Sequence, residues 1–74
     1  MNIGIMGAGK IAGVMADTIN KMDDVELYAV GSRTLEKANA FARKFDIDKT
    51  YGSYEELVSD DAIDLIYIAT PHSH

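Results

Sequence analysis

Apolar and polar positions alternate along the chain in blocks that predict a strand, then a helix. Residues Asn2 to Met6 form a short apolar run that stops at a glycine, which is typical of a buried strand. From Lys10 to about Met22, apolar residues recur at steps of three and four, which predicts an amphipathic helix. The predicted inner face of this helix consists of Ile11, Met15, Ile19 and Met22.

The next segment repeats this order. The run from Val25 to Val30 predicts a second strand, which is closed by Gly31 and Ser32. Thr34 is a candidate N-cap for a second helix, because a threonine oxygen at that position can accept a hydrogen bond from a free amide. The predicted inner stripe of this helix consists of Leu35, Ala38, Phe41, Ala42 and Phe45.

Three shorter signals follow. Thr50 and Tyr51 predict a very short strand, and Ser53 with Glu56 fits a capping box at the start of a third helix. Residues Ile63 to Ala69 are apolar apart from one aspartate, which predicts a strand covered by helices on both faces of its sheet.

The alternation of strands and helices predicts a doubly wound, parallel α/β sheet with right-handed crossovers. The expected strand order is 3-2-1-4, which is the first half of a Rossmann fold plus its next strand. Because the last strand would normally have a neighbour on its far side, the chain is expected to be part of a longer protein. If the 74 residues are produced alone, this strand would expose an apolar edge, so self-association or partial disorder is expected.

The stretch GIMGAGKI, residues 4–11, permits two interpretations. Counted from Gly4 it is a P-loop, but that frame leaves two residues for the strand and places Ile11 where a hydroxyl should bind Mg²⁺. Counted from Gly7 it is G-x-G-x-x-A, the fingerprint of a dinucleotide-binding βαβ unit. A plain glycine turn is the simpler alternative, but the position between a strand and an amphipathic helix favours the fingerprint.

In this interpretation each small residue has a role. Gly7 makes the tight turn, Gly9 lets a pyrophosphate approach the backbone, and Ala12 lets the helix pack closely on the strand. The free amides at the start of the helix favour a phosphate. The predicted contacts in this segment are Gly7, Ala8, Gly9, Lys10 and Ile11.

The end of the second strand indicates which dinucleotide binds. In this fold a carboxylate there selects NAD, whereas a cation accommodates the 2′-phosphate of NADP. The chain has no acid at this point, and Glu26 lies too early in the strand. NADP is therefore expected, with NAD as the alternative, although Arg33 could simply be solvated. The predicted contacts are Ser32, Arg33, Thr34 and Lys37.

Composition excludes several other classes. The net charge of -5 argues against binding to nucleic acid or to an anionic membrane, and no segment is apolar enough to span a membrane. There are no cysteines, so disulfides and thiolate metal sites are excluded. His72 and His74 lack nearby ligand partners, so no metal site is predicted. Without disulfides or a secretion signal, a cytoplasmic location is expected.

The segments IGIMGAGKIA, VGSRTLEKANAFARKF and YGSYEELVSDDAIDLIYIATPHSH resemble, in unbroken order, the N-terminal portion of the Gfo/Idh/MocA oxidoreductase family. This resemblance implies that residues 1–74 are the N-terminal part of an NAD(P)-binding Rossmann domain, and that the substrate domain lies outside this chain. It implies hydride transfer between a nicotinamide and a sugar, polyol or dihydrodiol-type substrate, in a protein that forms homo-oligomers.

The resemblance also bears on the remaining site residues. Thr70, Pro71 and His72 match the family's turn beside the nicotinamide, although many members have asparagine where this chain has His72. The family's catalytic lysine, in a Glu-Lys-Pro motif, and a second catalytic pair would lie beyond His74. Lys10 matches the cofactor loop and not that motif. No catalytic residue is therefore predicted within the chain, and a non-catalytic dinucleotide sensor remains the alternative. FAD or S-adenosylmethionine is less favoured, because both usually require an acid after the second strand.

Overall fold

Strands and helices alternate along residues 1–69, which are the part of the chain that the structure, a computed structural model, describes. The strands are β1 (Asn2–Met6), β2 (Glu26–Gly31), β3 (Lys49–Tyr51) and β4 (Leu65–Ile68). The helices are α1 (Lys10–Asn20), α2 (Leu35–Phe45) and α3 (Tyr54–Val58). All the strand pairs are parallel and the order is β3-β2-β1-β4, which confirms the predicted Rossmann topology.

Strand β1 lies at the centre of the sheet, between β2 and β4. Its Ile5 pairs with Val30 of β2 on one side and with Tyr67 of β4 on the other. Because parallel strands all end at the same edge, the residues that follow β1, β2 and β3 meet there. This edge carries the glycine turn and the segment that begins at Ser32.

The helices lie on both faces of the sheet. Ile3, Ile5 and Val30 belong to the buried cluster that also contains the inner residues of α1 and α2. Successive strand residues point to opposite faces, so Gly4 and Gly31 face the other way. There they meet Leu57 of α3, which is fully buried. A crossover that runs back from β3 to β4 places its helix on this second face.

The inner face of α1 differs in part from the prediction. Ile19 is buried and Met15 packs against the core, as predicted. Ala12 and Ala16 are also buried, whereas Ile11 is 56% exposed. Met22 lies beyond the end of the helix and is 45% exposed. The prediction followed the largest side chains, but the helix leaves a tight glycine turn and lies close to β1. Only small residues fit between two backbones at that distance, so Ala12 and Ala16 are buried there and Ile11 is not.

Two other predictions need correction at their margins. Leu35, assigned to the inner stripe of α2, is 51% exposed, because it packs at the start of the helix beside Gly52 and away from the core. Ala38, Phe41 and Ala42 are buried as predicted. Ile63 precedes β4, which begins only at Leu65.

Strand β4 is an edge of the sheet within residues 1–69. Its side chains at Leu65, Tyr67 and Ile68 are 41%, 39% and 66% exposed. The predicted cover by helices on both faces is therefore not seen in this part of the chain. None of the helices in residues 1–69 is long and apolar enough to cross a membrane.

Candidate dinucleotide-binding site

Gly7 makes the turn that leads from β1 to α1. Its φ of 119° lies in a region that residues with a Cβ rarely adopt, so glycine is required there. The Gly7 amide donates a hydrogen bond of 2.7 Å to the carbonyl oxygen of Gly31. This bond ties the end of β1 to the end of β2. Gly7 therefore shapes the site, while its amide is already engaged.

The start of α1 is open to a ligand. Gly9 is the N-cap residue and provides no side-chain hydrogen bond, and the first turn contains no acidic residue. A Cβ at Gly9 would have nothing within 4 Å, so this backbone faces open space. Because the first amides of a helix have no intrahelical acceptor and lie at the positive end of its dipole, they favour an anion here.

The other two helices contrast with α1. In α2 the Thr34 hydroxyl accepts from the Lys37 amide at 3.2 Å, and in α3 the Ser53 hydroxyl accepts from the Glu56 amide at 3.2 Å. Both helices also have an acidic residue in the first turn. Of the helices in the described residues, α1 alone leaves its N-terminus available, which fits the motif that begins at Gly7.

The segment after β2 forms the second part of the site. Ser32 is 5% exposed, and its amide donates to the Tyr51 carbonyl oxygen at 3.0 Å. Arg33, the next residue, is exposed. The chain therefore leaves the sheet at a fixed point and presents the Arg33 guanidinium to solvent. Thr34 serves as the cap of α2, as predicted.

These segments line one cleft of about 1190 Å³. The predicted residues that line it are Gly7, Ala8, Gly9, Lys10, Ser32, Arg33 and Lys37. Two predicted residues, Ile11 and Thr34, do not line it. Thr70, Pro71 and His72 lie outside the described residues. Clefts that hold small molecules and cofactors usually measure about 300–1,000 Å³, so this one is large enough for an extended ligand.

Several cleft residues were not predicted. Lys44 lies two turns beyond Lys37 on the same side of α2, and this seven-residue spacing is visible in the sequence. Tyr54 reaches the cleft from α3, on the other face of the sheet. No local pattern reveals that approach, because it depends on the crossover from β3 to β4.

The charges around the cleft are strongly unequal. Four of the seven basic residues of the chain line it: Lys10, Arg33, Lys37 and Lys44. Among the described residues, Asp17 is the one acid that lines it, and its carboxylate pairs with Lys21 at 3.3 Å. In a chain of net charge -5, this arrangement concentrates positive potential where the free helix N-terminus lies.

The glycine turn, the uncapped start of α1 and the cationic segment after β2 together have the features of a dinucleotide site in a Rossmann domain. The first two suit the pyrophosphate, and the third suits the adenosine end. The donor set within residues 1–69 therefore fits the pyrophosphate and the adenosine end of a nicotinamide dinucleotide.

Comparison with known proteins agrees with this class. Residues 1–74 match the model of a family described as an oxidoreductase family with an NAD-binding Rossmann fold, GFO_IDH_MocA. The chain belongs to this family, as its motifs predicted.

Curated relatives include dehydrogenases with different substrates. The chain is 44% identical to trans-1,2-dihydrobenzene-1,2-diol dehydrogenase of Mus musculus over 71 residues, which cover 93% of this chain and 21% of that protein. It is 45% identical to D-xylose 1-dehydrogenase (NADP(+)) of Hypocrea jecorina in an alignment 83 residues long, which covers 96% of this chain and 21% of that protein. The chain thus spans about a fifth of the length of these relatives.

Solved structures share the fold. An NAD binding oxidoreductase from Klebsiella pneumoniae matches with a TM-score of 0.90 and 29% identity, over 96% of this chain and 21% of that one. A myo-inositol dehydrogenase from Lactobacillus casei, solved with NAD(H) and myo-inositol, matches with a TM-score of 0.85 and 25% identity, over 95% and 21%.

Proposed function

We propose that this chain is the cofactor-binding part of an NADP-preferring oxidoreductase whose substrate is a sugar, polyol or dihydrodiol-type hydroxyl or carbonyl compound. The observation on which this rests is the joint placement of the uncapped α1 N-terminus and Arg33 in one cleft. Family membership supports the class of reaction, and the named activities of the relatives from mouse and Hypocrea jecorina support the substrate class.

The preference for NADP follows from the charges at the end of β2. A ribose with free hydroxyls is held by a carboxylate there, and a 2′-phosphate is held by cations. This segment contains Arg33 and no acid, and Lys37 lines the same cleft one turn later. The planar guanidinium of Arg33 can donate two parallel hydrogen bonds to a phosphate. The relative from Hypocrea jecorina is itself named for NADP(+).

Each part of the chain has a distinct task in this proposal. The first amides of α1, which follow Gly9, would hold the pyrophosphate, and Arg33 with Lys37 would hold the adenosine end. Gly7 fixes the turn, and Ala12 keeps α1 close to β1. When bound, the nicotinamide supplies or accepts the hydride. Substrate binding and proton transfer are assigned to residues outside this chain.

A non-catalytic dinucleotide sensor is the alternative, because the residues that bind a cofactor would serve a sensor equally well. The two functions differ in turnover. The full-length protein should be incubated with NADP⁺ and a panel of aldoses, cyclitols and trans-dihydrodiols, and the absorbance of the reduced nicotinamide followed. Turnover with a member of this panel supports the oxidoreductase. Tight NADP⁺ binding without turnover on any member, in either direction, would instead favour the sensor.

A further inference from the structure

We propose that Tyr54 is a specificity-determining residue of the adenosine end, and that its phenolic hydroxyl donates a hydrogen bond to the 2′-phosphate of the cofactor. This inference rests on the proposed function, because it names one more contact in the same cleft. It arises from the position of α3, which brings a residue from the far face of the sheet to the cleft that Arg33 also lines.

Tyr54 approaches the cleft from a different element than the predicted contacts within residues 1–69. Ser32, Arg33 and Lys37 lie at the end of β2 and on α2, whereas Tyr54 is the first residue of α3. The side chain is half-buried, and it lines the same cleft as those three residues. The cleft is therefore lined by residues from both faces of the sheet, with cations from the segment after β2 and from α2, and a phenol from α3.

The backbone that carries Tyr54 is held firmly. Leu57, one turn later, is fully buried against Gly31 and Gly4, where an added Cβ would lie 2.9 Å and 3.4 Å from its side chain. Ser53 caps the helix, and its hydroxyl donates to a Glu56 carboxylate oxygen at 3.1 Å. The backbone at Tyr54 is therefore held in place before any ligand binds, which lowers the entropic cost of using this residue.

The hydroxyl of Tyr54 is available for a ligand. Within residues 1–69 it takes part in none of the hydrogen bonds, whereas the Tyr51 hydroxyl donates to Asp60. A phenol that lies half-buried usually has a partner for its hydroxyl. The same cleft is lined by cations, so we assign to this neutral donor the anion that Arg33 and Lys37 would hold.

The test uses two ligands that differ only in the 2′-phosphate, adenosine 2′,5′-bisphosphate and 5′-AMP, with the full-length protein and calorimetry. Tyr54→Phe keeps the ring and removes the hydroxyl. It should lower the affinity for the bisphosphate by about tenfold, since a hydrogen bond to a charged group contributes roughly that factor. The affinity for 5′-AMP should not change. Tyr28→Phe is the matched control, because Tyr28 lies on β2 outside the cleft, and it should change neither affinity.

The outcomes separate this inference from the function on which it rests. If the wild-type protein binds the bisphosphate more tightly than 5′-AMP and Tyr54→Phe preserves that ratio, the role of the hydroxyl is wrong and the NADP site stands. An equal loss for both ligands would assign Tyr54 a general contact and also overturn the inference. A wild-type protein that binds neither ligand, or does not favour the bisphosphate, would overturn both proposals.

Discussion

At the scale of single residues, two glycines in the same turn have different reasons to be glycine. Gly7 needs its positive φ, and its amide is used within the protein. Gly9 has an ordinary φ of -90°, and an alanine there would meet no protein atom. Folding alone therefore explains Gly7, whereas Gly9 is best explained by a ligand that approaches the backbone.

Gly9→Ala separates these explanations. The methyl group would occupy space next to the first amides of α1, so the affinities for NADP⁺ and NAD⁺ should both fall by at least about tenfold. The free energy of unfolding should change by less than about 1 kcal/mol, because alanine adopts this conformation without strain. Calorimetry and thermal denaturation of the full-length protein would measure both effects. Unchanged affinity for both dinucleotides would show that the pyrophosphate does not bind at this turn.

At the scale of elements, α3 positions the segment after β2. Leu57 lies so close to Gly31 that an alanine Cβ at position 31 would be 2.9 Å from the Leu57 Cβ. Real Cβ atoms do not approach this closely, so either the helix or the strand must move. Because Ser32 and Arg33 follow Gly31 directly, this contact also fixes where the cleft begins.

Gly31→Ala should therefore destabilise the fold by about 1–3 kcal/mol, the usual cost of overpacking. Native-state hydrogen exchange should show reduced protection of the β2 amides in the full-length protein. Gly9→Ala introduces the same methyl group into open space and serves as the control. Equal protection in the two variants would mean that α3 does not press on β2 as the structure shows.

A pair of hydrogen bonds to Asp60 links β3 to the turn before β4. The Tyr51 hydroxyl donates to an Asp60 carboxylate oxygen at 2.5 Å, and the Ala62 amide donates to the other carboxylate oxygen at 2.9 Å. The hydrogen bond to Asp60 is the main cause that raises the pKa of Tyr51 from 10.0 to about 12, and burial adds to it. The same bond, with the Ala62 amide and the charge of Lys49, lowers the pKa of Asp60 below 3.8.

The pH dependence follows from these directions. The pKa of Tyr51 is raised on folding, so its stabilising contribution is complete below pH 10 and is lost as the pH rises towards 12. The pKa of Asp60 is lowered on folding, so its contribution is lost as the pH falls below 3.8. Asp60→Asn should bring the pKa of Tyr51 back towards 10.0, measured by NMR of ring-labelled tyrosine. A Tyr51 pKa that does not change in this variant would contradict the assigned cause.

Local sequence patterns predicted most elements because each signal lies within one segment. Thr34 and Ser53 cap α2 and α3 as expected. The predicted reach of Glu56 back to its cap is also present, although its carboxylate accepts from the Ser53 hydroxyl. The prediction for the inner face of α1 was correct at Ile19 and wrong at Ile11 and Met22. Side-chain size does not reveal how closely a helix approaches its strand, and at the close end of α1 the small residue Ala12 is buried instead of Ile11.

The sequence predicted the site residues that lie close together along the chain and missed those that only the fold brings to the cleft. Arg33 and Lys37 follow one strand directly, so the sequence places them near each other and near its carboxyl end. Tyr54 follows a different strand, and only the assembled sheet shows that it lines the same cleft. Lys44 shares a helix face with Lys37, so its seven-residue spacing could have predicted that it lines the cleft.

At the scale of the whole molecule, the exposed side of the sheet is apolar. Val58, Leu65, Tyr67 and Ile68 are between 39% and 66% exposed, and β4 pairs with β1 alone within residues 1–69. An unpaired edge with apolar side chains readily pairs with another chain. If the 74 residues are produced alone, they should therefore self-associate or be partly disordered.

Light scattering at high concentration would test this expectation. The wild-type chain should give species larger than a monomer, and Ile68→Lys should reduce their mass, because a lysine on an edge strand opposes pairing. Circular dichroism of both chains would show whether the helices are retained. A wild-type chain that is a folded, monodisperse monomer would contradict the expectation.

The most direct test of the central claim compares NADP⁺ and NAD⁺ binding to the full-length protein by calorimetry, for the wild type and for Arg33→Ala. The wild type should bind NADP⁺ more tightly, and Arg33→Ala should lose roughly 10- to 100-fold of that affinity while NAD⁺ binding stays nearly constant. Arg43→Ala, which removes an arginine of α2 that lies outside the cleft, should change neither affinity. Equal affinity for the two cofactors in the wild type, or an NADP⁺ affinity that does not respond to Arg33→Ala, would contradict the account.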